Sequence, residues 1–432
     1  MSYGPNFLVF MCFLAFASLC SAQMLTHGPV VGGATPYNAK VFLRTDRQAT
    51  VVIQYGSDPD LIASSMTKTL TTYSNHDFTR IIHITGLQPS TTYYVNISVN
   101  GIDQFIKPYP SFRTFPKPSI PQPFSFLVLT DFDNQRAVKN EFPTFLSASE
   151  EKVSFVFIGG DFDHRNPQTL SEKRQMFKDL YNPSSLGLQD FVRKILWRMP
   201  IVHHWDDHDA GVNNIDKTYP YWSLSYQIFS DYVPKYAIPS TVPGIWQRFK
   251  YAHTDFFVLD GRSQRDPDTD PDNDDKSMLD GNKLGVSGQL EWLMQGLLLS
   301  TATWKIVFSS VVTNPTTKLD DGWAAFQTEW KVIRGFIESN KIRGVIFISG
   351  DLHMGAIDNG TASGFPEMLV PAPNLNVCAS GTVGKWSEGV YYNSSGTCRG
   401  YGLITVLTDP DQVLLEVKDE NGNVRLSYLV SQ

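Results

Sequence analysis

PIVHHWDDHD at residues 200–209, FVFIGGDFDH at 155–164, FSFLVLTDFDN at 124–134 and VIFISGDLH at 345–353 share one pattern. Each stretch is a short apolar run that ends in aspartate and histidine. Continuous apolar runs of this length are typical of strands buried on both faces. Candidate helices lie between other apolar runs, at 288–299 and 327–339. The alternation predicts an α/β domain.

The polar clusters at the ends of these runs predict a metal site. Ligands of open α/β sheets collect outside the carboxyl ends of the strands, and carboxylates and imidazoles are ligands for metal ions. A single Asp after a strand is more often a helix cap or a turn former. The run Asp206-Asp-His-Asp209 is different. Four ionisable groups in a row repel one another unless cations or water satisfy them.

The first part of the chain has a different hydrophobic pattern. Residues 23–117 carry alternating apolar runs between turn residues, which predicts strands. The run LQPSTTY at 87–93 resembles the tyrosine corner of fibronectin type III sandwiches. We therefore expect a small all-β sandwich of the fibronectin-III or immunoglobulin type at 23–117. A proline-rich linker follows, and the α/β domain then occupies 118–432.

The N-terminus predicts export. Residues 8–19 are almost entirely apolar, and Cys20-Ser-Ala22 offers small residues for cleavage. Twelve residues are too few to span a bilayer, so we interpret 1–22 as a signal peptide rather than an anchor. A buried N-terminal strand is the alternative. The mature protein is then expected in the extracellular space or the lumen of the secretory pathway, and no later stretch is apolar enough to span a membrane.

Further features fit an oxidising compartment. Cleavage leaves Cys378 and Cys398, which predict one disulfide, and two unpaired buried thiols are the alternative. Acceptor triplets for N-glycosylation begin at Asn96, Asn359 and Asn393.

Charge narrows the range of partners. The formal net charge is -7, and no basic footprint for nucleic acid is visible. A nuclease, or any specific nucleic-acid partner, is therefore disfavoured. An acidic protein can still act on phosphates if bound cations supply the positive charge.

The order of the clusters resembles the calcineurin-like metallophosphoesterase superfamily. Within it, WDDHD at 205–209 and SGDLH at 349–353 look like the branch of PhoD-type alkaline phosphatases and phospholipase-D-like phosphodiesterases. LDGRSQR at 259–265 and GVSGQLEWL at 285–293 are similar to further segments of that branch. The resemblance covers nearly the whole mature chain. It implies an αββα sandwich and a metal-dependent phosphoric ester hydrolase.

The resemblance also implies roles for individual residues. Asp161 would bridge two metal ions, and His208 would contact the phosphate and protonate the leaving group. The remaining ligands would be Asp131 and His353 for the first ion, Asp133 or His164 as additional ligands, Asp207 and Asp351 for the second ion, and Asn314 in place of a lone histidine of the superfamily.

The ligand set departs from the PhoD pattern. Many PhoD-type enzymes have Cys where Asp131 stands, and some relatives have Tyr where His164 stands, so an iron–thiolate or iron–tyrosinate centre is in doubt. A carboxylate-rich set favours two hard ions such as Ca, Mn, Mg or Fe, with Zn as the alternative.

We therefore expect a secreted enzyme that hydrolyses phosphate monoesters or diesters by attack of metal-activated hydroxide. The substrate would be a small-molecule or lipid phosphate ester. Arg262 and Arg265 would hold either the substrate or carboxylates around the site. The acidic run 266–275 is either a solvated loop or a separate calcium site. The alternative function is a secreted binding or adhesion protein on a catalytically degenerate phosphatase scaffold.

Overall fold

The computed structural model describes residues 24–133, 142–239, 243–279, 288–375, 382–392 and 398–432, together with Met1 and Cys378. Apart from Met1, the predicted signal peptide lies outside the described residues, and so does Asn393.

The strands of the described part are β1 Leu25–Gly32, β2 Asn38–Thr45, β3 Thr50–Gly56, β4 Ser65–Met66, β5 Leu70–Thr71, β6 Thr79–Thr85, β7 Thr92–Val99, β8 Ile102–Asp103, β9 Ser111–Arg113, β10 Phe124–Leu129, β11 Val156–Gly159, β12 Ile201–His204, β13 Gln247–Tyr251, β14 Thr254–Val258, β15 Trp304–Ser309, β16 Val345–Ser349, β17 Gly355–Asn359, β18 Pro366–Leu369, β19 Val390–Tyr391, β20 Gly400–Val406, β21 Gln412–Asp419 and β22 Val424–Ser431. The α-helices are α1 Pro143–Glu150, α2 Leu170–Leu180, α3 Asp207–Ala210, α4 Trp222–Tyr232, α5 Gln289–Leu298 and α6 Gln327–Ser339. A π-helical segment spans Phe191–Leu196, and 3₁₀ turns span Ser74–His76 and Trp323–Phe326.

Two large sheets form the centre of the molecule. The first has the order β22-β21-β20-β10-β11-β12-β1-β2-β6, and the second has the order β13-β14-β15-β16-β18-β17-β19. Strands β10, β11 and β12 run parallel to one another, as do β14, β15, β16 and β18. The carboxyl ends of β10, β11 and β12 therefore lie along one edge of the first sheet.

The central strands are apolar throughout because both of their faces are covered. On β10, Phe126 and Val128 belong to the core between the two sheets, whereas Leu127 and Leu129 belong to a core shared with helices α1, α2 and α4. On the second sheet, Phe257 and Phe347 pack in a core that includes residues of α5 and α6. Side chains alternate between the two faces of a strand, so one continuous apolar run serves two cores. The layers follow the order helix, sheet, sheet, helix.

The N-terminal strands build a core of their own that includes Val41, Ile53, Ile97 and Phe112. Strands β3, β4, β7 and β8 form a sheet of this region with β5 and β9 attached, and the Tyr93 hydroxyl accepts a hydrogen bond of 2.9 Å from the Gln88 backbone N–H. Strand β1, however, pairs with β12 where Gly32 faces Ile201. The first large sheet thus crosses the predicted boundary at residue 117, and that boundary stays a prediction.

No helix in the described part of the chain is long and apolar enough to cross a membrane.

Candidate metal centre and active site

The carboxyl ends of four strands bring the Asp/His clusters to one place. Asp131 follows β10, Asp161 follows β11, α3 begins directly beyond β12, and Asp351 follows β16. The chain turns sharply at these points, with φ of 59° at Asp131, 48° at Asp161 and 76° at Asp351. Positive φ values outside glycine are uncommon and collect at functional sites, where the surrounding structure imposes them.

The first group of ligand atoms comes from Asp131, His164 and His353, and these atoms lie within 4.8 Å of one another. His353 Nε2 is 3.6 Å from Asp131 Oδ1, and His164 Nε2 is 3.9 Å from Asp161 Oδ2. Four buried atoms here have no hydrogen-bond partner among the described residues: Asp131 Oδ1, Asp161 Oδ2, His164 Nε2 and His353 Nδ1. Buried polar atoms are normally paired, so this set fits a bound cation.

The orientation of His164 supports that interpretation. Its Nδ1 lies 2.8 Å from the carbonyl oxygen of Phe132. A carbonyl only accepts, so Nδ1 carries the hydrogen and Nε2 keeps the lone pair that a metal ion needs. Burial, followed by the charge of His208, lowers the pKa of His164. Burial and then His164 lower the pKa of His353 to about 3. Both rings are therefore neutral at neutral pH.

The carboxylates of the site are crowded in the absence of a cation. Burial, followed by the charge of Asp206, raises the pKa of Asp131 to about 8. Burial and then Asp207 raise the pKa of Asp161 well above its ordinary value. A metal ion between these groups would favour their ionised forms.

Two further groups of ligand atoms share Asp161. One adds His164 and His208, and the other, called the second group below, adds Asp206 and Asp207. Asp207 is held by backbone donors, because its carboxylate accepts hydrogen bonds from the N–H groups of His208 at 2.8 Å and Asn214 at 2.5 Å. Asp206 is bound by both Nε and Nη2 of Arg262. The second group thus offers Asp161 and Asp207 to an ion, because Asp206 is already paired with the guanidinium of Arg262.

His208 faces an open pocket of about 570 Å³ beside these groups. Its Nδ1 lies 2.6 Å from Asn166 Oδ1. An amide oxygen only accepts, so Nδ1 carries a hydrogen and Nε2 is the ring nitrogen left for a ligand.

The sequence from Gly159 to Phe365 matches the family model described as PhoD-like phosphatase. This match confirms the resemblance to PhoD-type phosphatases that the sequence indicated. Alkaline phosphatase D of Bacillus subtilis strain 168 is 23% identical over an alignment of 440 positions that covers 91% of this chain and 69% of that protein. The family implies a metal-dependent phosphoester hydrolase.

Solved structures agree with the fold. A structure of PhoD superposes with a TM-score of 0.73 at 17% identity and covers 93% of this chain and 89% of that one. The purple acid phosphatase PPD1 of yellow lupin superposes with a TM-score of 0.63 at 12% identity and covers 95% and 74% of the two chains. At these identities the likeness shows the fold alone.

In this PhoD-like chain, Arg262 and Arg265 contact carboxylates and do not line the pocket that contains His208. Both side chains are 0% exposed. Arg262 joins Asp206 to Asp321, and Arg265 contacts Asp268 and Asp321. The two guanidinium groups are paired with carboxylates, of which Asp206 and Asp321 are buried and Asp268 is half-buried. They hold the loops behind the site, which is the other role that the sequence left open.

Two predicted ligands are not brought into the ligand groups. Asn314 Nδ2 donates to the carbonyl of Lys385 at 2.7 Å, and its Oδ1 accepts from both the N–H and the hydroxyl of Thr316. Its oxygen is occupied within the loop, and its role as a metal ligand stays a prediction. Asp133 is in none of the three ligand groups, and its backbone is bound by Asn374.

The structure also shows residues that the sequence did not single out. Asn166 orients His208, and Asp209 accepts the backbone N–H groups of Asp161 and Phe162 at 2.7 and 2.8 Å. Lys318 lies 3.0 Å from Asp351. Asp209 belonged to a cluster that the sequence marked, whereas Asn166 and Lys318 lie in loops without a pattern that indicates their partners.

Other predicted features have mixed outcomes. Cys378 and Cys398 form a disulfide. Asn96 lies in β7 with 1% of its surface exposed, and its glycosylation stays a prediction. Asn359 is half-buried at the end of β17. In the acidic run 266–275, protein groups bind Asp266, Asp268 and Asp272, which favours the loop over a calcium site.

Proposed function

We propose that this chain is an exported, metal-dependent phosphoesterase that hydrolyses phosphate monoesters or diesters. One observation carries the proposal: four buried polar atoms of Asp131, Asp161, His164 and His353 lack hydrogen-bond partners among the described residues, and the pocket that contains His208 is also lined by His353. The disulfide supports export because disulfides persist in oxidising compartments.

The residues divide the chemistry between them. Asp131, Asp161, His164 and His353 would hold the first ion, and Asp161 and Asp207 would take part in holding a second. Bound ions supply positive charge to the phosphoryl oxygens and lower the pKa of water. The backbone N–H groups of His208 and Asn214 keep Asp207 in place, and the carboxylate of Asp209 fixes the turn at Asp161.

His208 is the general acid of the proposed reaction. Hydroxide forms the new bond to phosphorus while the phosphoester bond breaks with negative charge on the leaving oxygen. The imidazolium Nε2–H neutralises that charge by proton transfer. Asn166 sets the ring for this role through Nδ1.

The test is hydrolysis of a nitrophenyl phosphate monoester and of the corresponding bis-ester by the purified full chain. Reactions would contain Ca, Mn or Zn, or a chelator. Asp161→Asn and His208→Ala should abolish most turnover, while Asp103→Asn and His83→Ala, two exposed positions on β8 and β6, serve as matched controls. The ratio of monoester to diester turnover assigns the substrate class, for which a small-molecule or lipid phosphate remains the proposal.

Folded wild-type protein without turnover under any of these ions would refute the proposal. It would support the alternative of a binding protein on a phosphatase scaffold. Turnover that survives both chelation and Asp161→Asn would refute the metal-dependent chemistry.

A further inference from the structure

Lys318 places its ammonium group beside Asp351, the carboxylate that the family resemblance assigns to the second metal ion. It lies in the loop after β15, and its side chain is 14% exposed. Its Nζ is 3.0 Å from Asp351 Oδ1 and 3.8 Å from Asp321 Oδ2. The residue also lines the pocket that contains His208.

The loop holds this ammonium firmly. Lys318 has a φ of 44°, and its carbonyl accepts hydrogen bonds from the backbone N–H groups of Asp321 at 3.3 Å and Gly322 at 2.9 Å. Asp321 is in turn fixed by Arg262 and Arg265, both fully buried. A lysine in such a setting is pre-organised, so little conformational entropy is lost when its ammonium binds a carboxylate.

The ligand atoms around the site are unevenly distributed. The first group contains ligand atoms of Asp131, His164 and His353 near Asp161. The second retains Asp161 and Asp207, because Arg262 binds Asp206. Asp351, which the family resemblance assigns to the second ion, belongs to no group of ligand atoms found among the described residues. Its near neighbour is the Lys318 ammonium.

We propose that Lys318 is a built-in cation that partly replaces the second metal ion, so that the centre binds one ion tightly and a second ion weakly. The inference rests on the proposed function, since it concerns the same centre. Two positive charges near one carboxylate repel each other, so an ion that approaches Asp351 must compete with the ammonium. The pocket keeps positive charge for the phosphate even while the second ion is absent.

The test is calorimetric titration of Mn²⁺ into the chelator-treated full chain. Wild type should bind one ion tightly and a second at least about tenfold more weakly. In Lys318→Met the second dissociation constant should fall by about tenfold or more. Lys318→Arg retains the charge and should behave as wild type, as should Lys331→Met, which changes an exposed lysine of α6.

The stability of Lys318→Met gives a second measurement. Without an ion, Asp351 loses its ammonium partner in a buried setting. Mn²⁺ should therefore raise the unfolding temperature of this variant by more than it raises that of wild type. A double variant, Lys318→Met with Asp351→Asn, removes both charges and should bind only the tight ion.

Two equally tight ions in wild type, or an unchanged second constant in Lys318→Met, would overturn this inference and leave the proposed phosphoesterase intact. If the chelated Lys318→Met does not fold, the wild-type isotherm still decides. If wild type binds no ion tightly, the proposed function fails and this inference fails with it.

Discussion

At the scale of single residues, the hydrogen bond from His208 Nδ1 to Asn166 Oδ1 offers the sharpest test of the proposed acid. Asn166→Ala removes the acceptor and leaves the ring free to rotate. We expect kcat to fall roughly tenfold, while KM changes little. Loss of the general acid itself would cost more, roughly 10²–10⁴-fold. Steady-state kinetics on the nitrophenyl esters would measure both constants.

The conservative variant Asn166→Asp separates this role from a purely structural one. Asn166 has a φ of 54°, a region that Asn and Asp both tolerate, so the backbone should not change. An added carboxylate favours the imidazolium form of His208. The alkaline limb of the kcat profile should move to higher pH. A profile that stays in place would argue against His208 as the proton donor.

At the scale of elements, Arg262 connects the loop after β12 to the loop after β15. Its guanidinium binds Asp206 and Asp321, and all three side chains are buried. The single ammonium group of lysine cannot form paired hydrogen bonds to two carboxylates in this way. Arg262→Lys should lower the free energy of unfolding by roughly 3 kcal/mol, because a buried charge loses part of its pairing. Urea unfolding measures this loss.

Arg334→Lys is the matched control, since Arg334 forms an exposed pair with Glu338 on α6. Exposed pairs contribute little, so its free energy of unfolding should stay within about 0.5 kcal/mol of wild type. A stable Arg262→Lys with a raised KM would instead support the substrate-binding role that the sequence left open.

Glu367 on β18 connects the end of β16 to the loop after β15, and its burial predicts a pH dependence of stability. Its Oε1 accepts the Thr313 N–H and the Ser349 hydroxyl, both at 2.7 Å. Burial raises the pKa of Glu367 from 4.5 to about 7. Between these values the folded state holds a proton that the unfolded chain releases. The stability is therefore full below about pH 4.5 and is lost as the pH rises through about 7.

Glu367→Gln mimics the protonated carboxyl and should remove this dependence. The variant should match wild type near pH 5 and exceed it near pH 8, by roughly 3 kcal/mol. Urea unfolding at both pH values would measure the difference, with Glu338→Gln on the exposed face of α6 as control. Equal stabilities at pH 8 would show that Glu367 is ionised in the folded protein at little cost.

The secondary-structure elements were largely predictable from the sequence, whereas contacts between distant loops were not. Apolar runs located β10, β11, β12 and β16, and the helix predicted at 327–339 is confirmed as α6. The Asp/His clusters were predictable because each one directly follows its strand. The partners of Arg262 were not, because Asp206 and Asp321 lie 56 and 59 residues away and the loops that join them have no period. Lys318 and Asn166 escaped prediction for the same reason.

At the scale of the whole molecule, the N-terminal strands have their own core, but β1 and β2 also contribute Val30 and Phe42 to the main core. Phe42 of β2 is fully buried, and its ring centroid lies 5.2 Å from that of Tyr181 and 5.5 Å from that of Tyr232. The Lys40 ammonium donates to the carbonyl of Lys235 at 2.6 Å, and the Tyr236 hydroxyl donates to the carbonyl of Ala34 at 2.8 Å. A resemblance to a fibronectin-type module does not reveal this dependence, because it describes only local strand patterns.

We therefore predict that residues 118–432 do not fold as an independent unit. Without the N-terminal strands, β12 loses its pairing with β1 and the ring packing around Phe42 is lost. An edge strand exposed in this way promotes aggregation, and the loss of one buried Phe side chain alone costs roughly 3–5 kcal/mol. Near-ultraviolet circular dichroism and gel filtration of the expressed fragment would detect the failure to fold.

The decisive comparison is a full chain cut after it has folded. The segment 117–121 is exposed, so a protease site placed there is accessible. We expect the two cleaved pieces to elute together and to keep their phosphoesterase activity, because the shared sheet and core are already formed. Separation of the pieces, with activity in the larger one, would instead show two autonomous domains joined by a simple linker.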